Sequence, residues 1–135
     1  MSGETDLEKL LRGMKPELHE GEYVFCTVDS FQHAATLNPV CIFQEQEGIT
    51  VILSKHQADD VSLPYSVICA WITLTVHSSL EAVGLTAAVS KALTAANISC
   101  NVVAAYYHDH IFVPVQDANR ALDTLTQLTK RETYE

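Results

Sequence analysis

Glycine is scarce in this chain. There are five in 135 residues, Gly3, Gly13, Gly21, Gly48 and Gly84, and none are adjacent. That scarcity excludes a Walker loop, a G-x-G-x-x-G dinucleotide turn and a G-x-S-x-G nucleophile elbow. Basic residues are also few, 8 against 17 acidic ones, for a formal net charge of −9. A field of that sign repels phosphate backbones and anionic lipid, so nucleic acid and membrane surfaces are poor partners. The four cysteines, Cys26, Cys41, Cys69 and Cys100, form no C-x-x-C pair, which argues against a zinc knuckle or a thioredoxin-like site. Each lies in an apolar run, where a reduced thiol behaves as a small hydrophobe. No apolar stretch approaches the roughly 20 residues of a membrane helix. The start, Met1 to Asp6, is acidic and polar, unlike a signal peptide. The expectation is a soluble cytoplasmic protein.

What is present is enough apolar residue for a core: 47% hydrophobic and 19% charged. The length suits one ordinary domain or two small ones. Leu7, Leu10, Leu11 and Met14 recur at helical spacing and predict a helix over 5–14, ended by Gly13 and Pro16. Residues 16–21 read as a polar connector. Tyr23 to Val28 is rich in strand formers. A single helical turn follows around Phe31 to Ala35, capped by Asp29 or Ser30. Val40 to Gln44 and Ile49 to Leu53 form a hairpin turned at Glu45 to Gly48. A weak helix spans 54–61, with Ser54 its candidate cap.

Leu63-Pro64 marks a joint, dividing the chain into 1–64 and 65–135. A long apolar strand region runs from Tyr65 to His77. Ser78 and Glu81 match the S-x-x-E capping box. The helix over 83–96 carries Leu85, Ala88, Val89, Ala92, Leu93 and Ala96 on one stripe, and Asn97 suits a left-handed C-cap. Ile98 to Tyr107 and Ile111 to Val115 form a second hairpin turned at His108-Asp109-His110. Asp117 opens a last helix to Leu128.

The two halves repeat one order of elements: strand, helix, strand, turn, strand, helix. A β-α-β-β-α unit closed by a fourth strand is the ferredoxin-like arrangement, an α+β fold with antiparallel sheets. The first half takes a fourth strand from 65–70. The second has little sequence left for one, since Arg131 to Glu135 is short and charged. That edge is expected to be completed by exchange between halves or between chains.

Two stretches carry candidate chemistry. After Val76 the chain enters a helix start, where unpaired N–H groups and partial positive charge suit a carboxylate. Gly84 permits close approach there, and Ser78, Ser79 and Ala82 leave room. The plainer reading is that Ser78 and Glu81 cap the helix and Gly84 serves close packing. Second, His108 and His110 are two apart and share a strand face, the spacing of a metal-ligand pair on a strand, but no further ligands follow at matching spacing. The plainer reading is a solvated hairpin tip, and no metal or other cofactor is assigned. The acidic run Glu17 to Glu22 reads as solvated surface.

The segments Trp71 to Thr86 and Ile98 to Pro114 resemble the signature of small tandem ACT-domain proteins, and Glu22 to Cys26 resembles the first half of the same family. The resemblance covers nearly the whole chain, most clearly in its second half. It implies ferredoxin-like regulatory modules, non-catalytic, that bind amino acids or similar molecules where two domains pair side by side. It places the ligand site on the loop after the first strand and on the facing second strand. Here these are His77, Ser78, Ser79, Leu80, Glu81, Val83, Gly84 and Leu85, with Asn101 and Val102. Where many relatives carry an early acid in that loop, this chain has Ser78 or Ser79, and its first acid is Glu81. The expected function is small-ligand sensing by a homo-oligomer, a dimer or larger, acting through a partner. The alternative is an assembly module that pairs through sheet edges and takes no small ligand.

Overall fold

The computed structural model describes residues 6–76 and 84–130. In chain order the elements are α1 (Leu7–Gly13), β1 (Lys15–Leu18), β2 (Tyr23–Val28), α2 (Phe31–Thr36), β3 (Cys41–Gln44), β4 (Ile49–Ser54), α3 (Lys55–Asp60), β5 (Ile68–Thr75), α4 (Leu85–Ala95), β6 (Asn101–Ala104), β7 (Asp109–Pro114) and α5 (Ala118–Thr129). They form two compact units. One is continuous, Glu20–Ala70; the other is discontinuous, Met1–His19 with Trp71–Glu135.

The continuous unit has the strand order β3-β4-β2-β5, and it uses only the first residues of β5. All three pairings are antiparallel, the last limited to Tyr23 opposite Cys69 and Val24 opposite Ile68. Strand alternation sends Val24, Cys26 and Val28 of β2 and Val51 and Leu53 of β4 into one buried cluster, with Ala34 of α2, Leu37 just after it and Ala58 of α3. Both short helices have serine caps. Ser30 accepts from His33 N at 3.1 Å and Ser54 from Gln57 N at 3.2 Å.

The discontinuous unit has the order β1-β5-β7-β6. Here the missing fourth strand appears. It is β1, which lies antiparallel to β5 with Lys15 opposite Thr75 and Leu18 opposite Ile72. The polar connector expected over 16–21 is therefore a strand in its first part. Pro16 suits that place, because a proline lacks the N–H that an inner strand must donate. Ahead of it, Asp6 caps α1 by accepting from Glu8 N and Lys9 N, and Leu10 is fully buried. The inner faces are Ile72 and Leu74 of β5, Ile111 and Val113 of β7, Val89 and Leu93 of α4, and Ala121 and Leu125 of α5.

Helix α4 ends as its sequence suggests: Asn97 is left-handed, at φ +60°. Arg120 donates to the Ala96 carbonyl at 2.9 Å and to Asp117 Oδ1 at 3.0 Å, satisfying one of the orphan acceptors of that helix end. The second hairpin turns earlier than expected. Ala105 N donates to the His108 carbonyl, so Asp109 and His110 belong to β7 and the Tyr106–Tyr107 pair forms the tip. These rings are 78% and 75% exposed and touch edge to face, so local strand propensity there is overridden by the turn.

Candidate functional site

The helix start anticipated as a ligand seat lies at α4. Gly84 precedes its first helical residue with φ +99°, a left-handed conformation that other residues adopt only under strain. Having no side chain, Gly84 cannot itself cap the first turn; its carbonyl accepts from Ala88 N at 2.8 Å. A Cβ at this position would come within 3.3 Å of Leu7 Cδ2, so α1 packs closely over the helix start. Leu85 is buried. His77, Ser78, Ser79, Leu80, Glu81 and Val83 lie outside the described residues, and so does the Ser78–Glu81 capping box.

Asn101 and Val102 open β6, the last strand in its unit's order; Asn101 is exposed and Val102 is 37% exposed. Among the described residues no hydrogen bond joins Gly84 or Leu85 to Asn101 or Val102. Those four residues mark a helix start and a strand start.

A second polar constellation, which the sequence reading missed, sits in the same unit. Trp71, Thr73 and Thr75 alternate along β5 and share one face with Glu17 and His19 of the β1 segment and His110 of β7. The Thr73 hydroxyl stands 2.6 Å from His19 Nε2 and 3.0 Å from His110 Nδ1. The Trp71 indole N–H donates to the same His110 Nδ1 at 3.1 Å. His19 stacks on Trp71 with ring centroids 3.5 Å apart and planes 8° from parallel. Thr75 donates to Glu17 Oε1 at 2.5 Å.

Donor and acceptor roles follow from the indole, which can only donate. His110 Nδ1 is therefore bare, and the ring is neutral with its proton on Nε2. The arrangement that satisfies every group has His19 Nε2–H donating to Thr73 and Thr73 O–H donating to His110. Burial pushes both histidines below their usual range. Glu17 opposes this at His19, while His108 and His19 reinforce it at His110. Asp109 is pushed up by burial, with His108 pulling the other way.

His108 and His110 do not meet as ligands would. His110 Nδ1 is committed to Trp71 and Thr73, and His108 Nδ1 is buried without a hydrogen-bond partner among the described residues. Among the described residues no group of three or more His, Cys, Asp or Glu is arranged to hold a metal ion. Burial raises all four thiols, which keeps them protonated and poorly nucleophilic. No described helix is long and apolar enough to cross a membrane.

The described chain comprises two ferredoxin-like units of antiparallel strands and helices, with β5 contributing to both. Profiles of the ACT domain match residues 2–70 and, separately, 66–127. The chain belongs to the ACT-domain family and carries two such domains in tandem. Among solved structures, a Vibrio cholerae protein of unknown function, described as a possible transport protein, is 48% identical. That match covers 91% of this chain and 95% of that one, with a TM-score of 0.84. The ligand-free regulatory subunit of aspartate kinase from Thermus thermophilus has 12% identity, coverage of 84% and 95%, and a TM-score of 0.63. Aspartokinase III of E. coli, in complex with aspartate and ADP, has 11% identity and a TM-score of 0.62, covering 86% of this chain and 33% of that one. These last two likenesses concern the fold. A comparison with curated proteins finds no match.

Proposed function

We propose that this protein is a non-catalytic sensor that binds an amino acid or a related small carboxylate and passes the signal on through a partner or an assembly interface. The observation that carries this reading is the tandem ACT pair together with the left-handed Gly84 at the mouth of α4. The ligand carboxylate would sit on the N–H groups of that first turn, where the helix dipole favours negative charge. The residues assigned to the site in this reading are His77, Ser78, Ser79, Leu80, Glu81 and Val83, together with Gly84 and Leu85 at the described helix start. Asn101 and Val102 close the site, in the side-by-side pairing of two domains that the family uses. The working halves in this reading are 1–64 and 65–135, the second bearing the site, in a cytoplasmic homo-oligomer.

A thermal-shift panel of the twenty amino acids and common metabolites tests the reading, since a ligand that binds only the native state raises the melting temperature. A ligand at about 100 times its Kd should add about 2.7 kcal/mol. The shift should be lost in Asn101→Ala, a change at an exposed position, and in Ser78→Leu. No shift with any compound at millimolar concentration would sink the sensor reading.

The second reading, assembly through sheet edges without a small ligand, has its own support. Strands β3 and β6 end their units' orders and carry Phe43, 65% exposed, and Val102. A flat ligand panel with a concentration-dependent mass in light scattering would favour it.

A further inference from the structure

We propose that His110 is a pH-sensitive latch that holds β1 against β5 when neutral and loosens it when protonated. The argument begins with how β1 is held. The strand offers little buried surface: three of its four residues are exposed. Apart from the ladder, its described ties to β5 are the Glu17–Thr75 hydrogen bond, the His19–Thr73 hydrogen bond and the stack of His19 on Trp71. Two of these three run through the constellation that ends at His110.

Protonation of His110 can occur only at Nδ1, because Nε2 already carries a hydrogen. The new N–H would face the Trp71 indole N–H across 3.1 Å. Two donors then oppose each other, and the indole loses this acceptor. The Thr73 hydroxyl can no longer donate to His110, since the new N–H would claim the oxygen as acceptor. The indole must turn, and the His19 ring stacked on it must follow. Protonation of His19 has no such consequence, because a cationic imidazole still donates from Nε2 to Thr73.

The charged neighbours are few. From β1 come Lys15, Glu17 and His19; from the β7 hairpin come His108 and Asp109; β6 places the uncharged Val103 opposite His110; and β5 contributes Trp71, Thr73 and Thr75. Burial, His108 and His19 all oppose protonation of His110, and the Glu17 carboxylate acts on His19 instead. The sign of the effect follows from a folded-state pKa below the unfolded 6.5. Above pH 6.5 the latch contributes fully. As pH falls from there toward the folded value, the loosened state takes up a proton that the closed state refuses, and the contribution is lost.

The chain has a single tryptophan, Trp71, which makes the latch self-reporting. Its fluorescence should change between pH 8 and 5 with a midpoint below 6.5. Exchange of the His19 amide, which donates to the Trp71 carbonyl, should rise after correction for intrinsic rates. The rise should be about tenfold for each pH unit by which the closed site resists protonation. In His110→Asn the Oδ1 atom replaces Nδ1 as a non-titrating acceptor, and both changes should vanish. In His19→Gln, which can still donate to Thr73, both should persist. A flat wild-type response, a transition that survives His110→Asn, or one lost in His19→Gln would overturn the proposal. If His110→Asn fails to fold, the imidazole nitrogen NMR spectrum of the intact protein decides: a proton on His110 Nδ1 at pH 8 is incompatible with the latch.

Discussion

The Thr73 hydroxyl serves two imidazoles at once, and the residue is buried, with 7% of its surface exposed. Removing it takes from His19 Nε2–H its acceptor and leaves His110 Nδ1 with the Trp71 indole N–H. Thr73→Val keeps the shape and the strand preference but deletes the hydrogen bonds, so it should cost about 1–3 kcal/mol. Thr73→Ser, which keeps the hydroxyl, should cost less. Urea midpoints of the three proteins at pH 7.5 check this, and equal stability of wild type and Thr73→Val would mean the bridge is not made. None of this was legible in the sequence, for a plain reason. His19 lies 54 residues from Thr73 and stands in an acidic run that reads as solvated surface. Gly84 stands out in the sequence, because a lone glycine at a helix start has few explanations. The close contact with Leu7 was not, since α1 is distant in sequence.

Short elements depend most on their ends. Helix α3 has six residues, too few to persist on propensity alone, and Ser54 both closes β4 and caps it. Ser54→Ala should cost about 1 kcal/mol, and Ser54→Asp, a good cap, should restore most of it. Denaturant midpoints, with amide exchange at Gln57 as the local reading, check the pair. Most elements were legible because alternation and capping agree: β2, β4 and α4 carry apolar faces, Asn97 ends α4, and α3, with only Ala58 to bury, is marked by its cap Ser54. Two were not. Strand β1 has no apolar alternation, contains Pro16, and exists because β5 offers an edge to pair with. The β6–β7 hairpin was turned too late because Tyr106 and Tyr107 are strong strand formers placed at an exposed tip. In both cases pairing outweighed local preference.

At the scale of the whole chain, the fourth strand explains how the sequence is divided. The discontinuous unit leaves off at His19 and resumes at Trp71, and these two residues are neighbours: His19 N donates to the Trp71 carbonyl at 2.9 Å. They extend the antiparallel register in which Leu18 faces Ile72. The continuous unit Glu20–Ala70 is thus an insertion at a point where a two-residue hairpin loop would fit. Excising 20–70 and joining His19 to Trp71 through Asn-Gly should leave a chain that folds alone. β1 and the remaining part of β5 would become a hairpin at one side of the order β1-β5-β7-β6; Cys69 and Ala70 of β5 are lost, while its buried Ile72, Thr73 and Leu74 stay with the buried residues of β7, α4 and α5. Such a protein should unfold in one cooperative urea transition followed by Trp71 fluorescence, with the His110 titration retained. Its small size limits the burial available, so its stability should sit at or below the low end of the usual 5–15 kcal/mol. A non-cooperative transition with an exposed indole at pH 7.5 would mean that the discontinuous unit depends on the inserted one to fold.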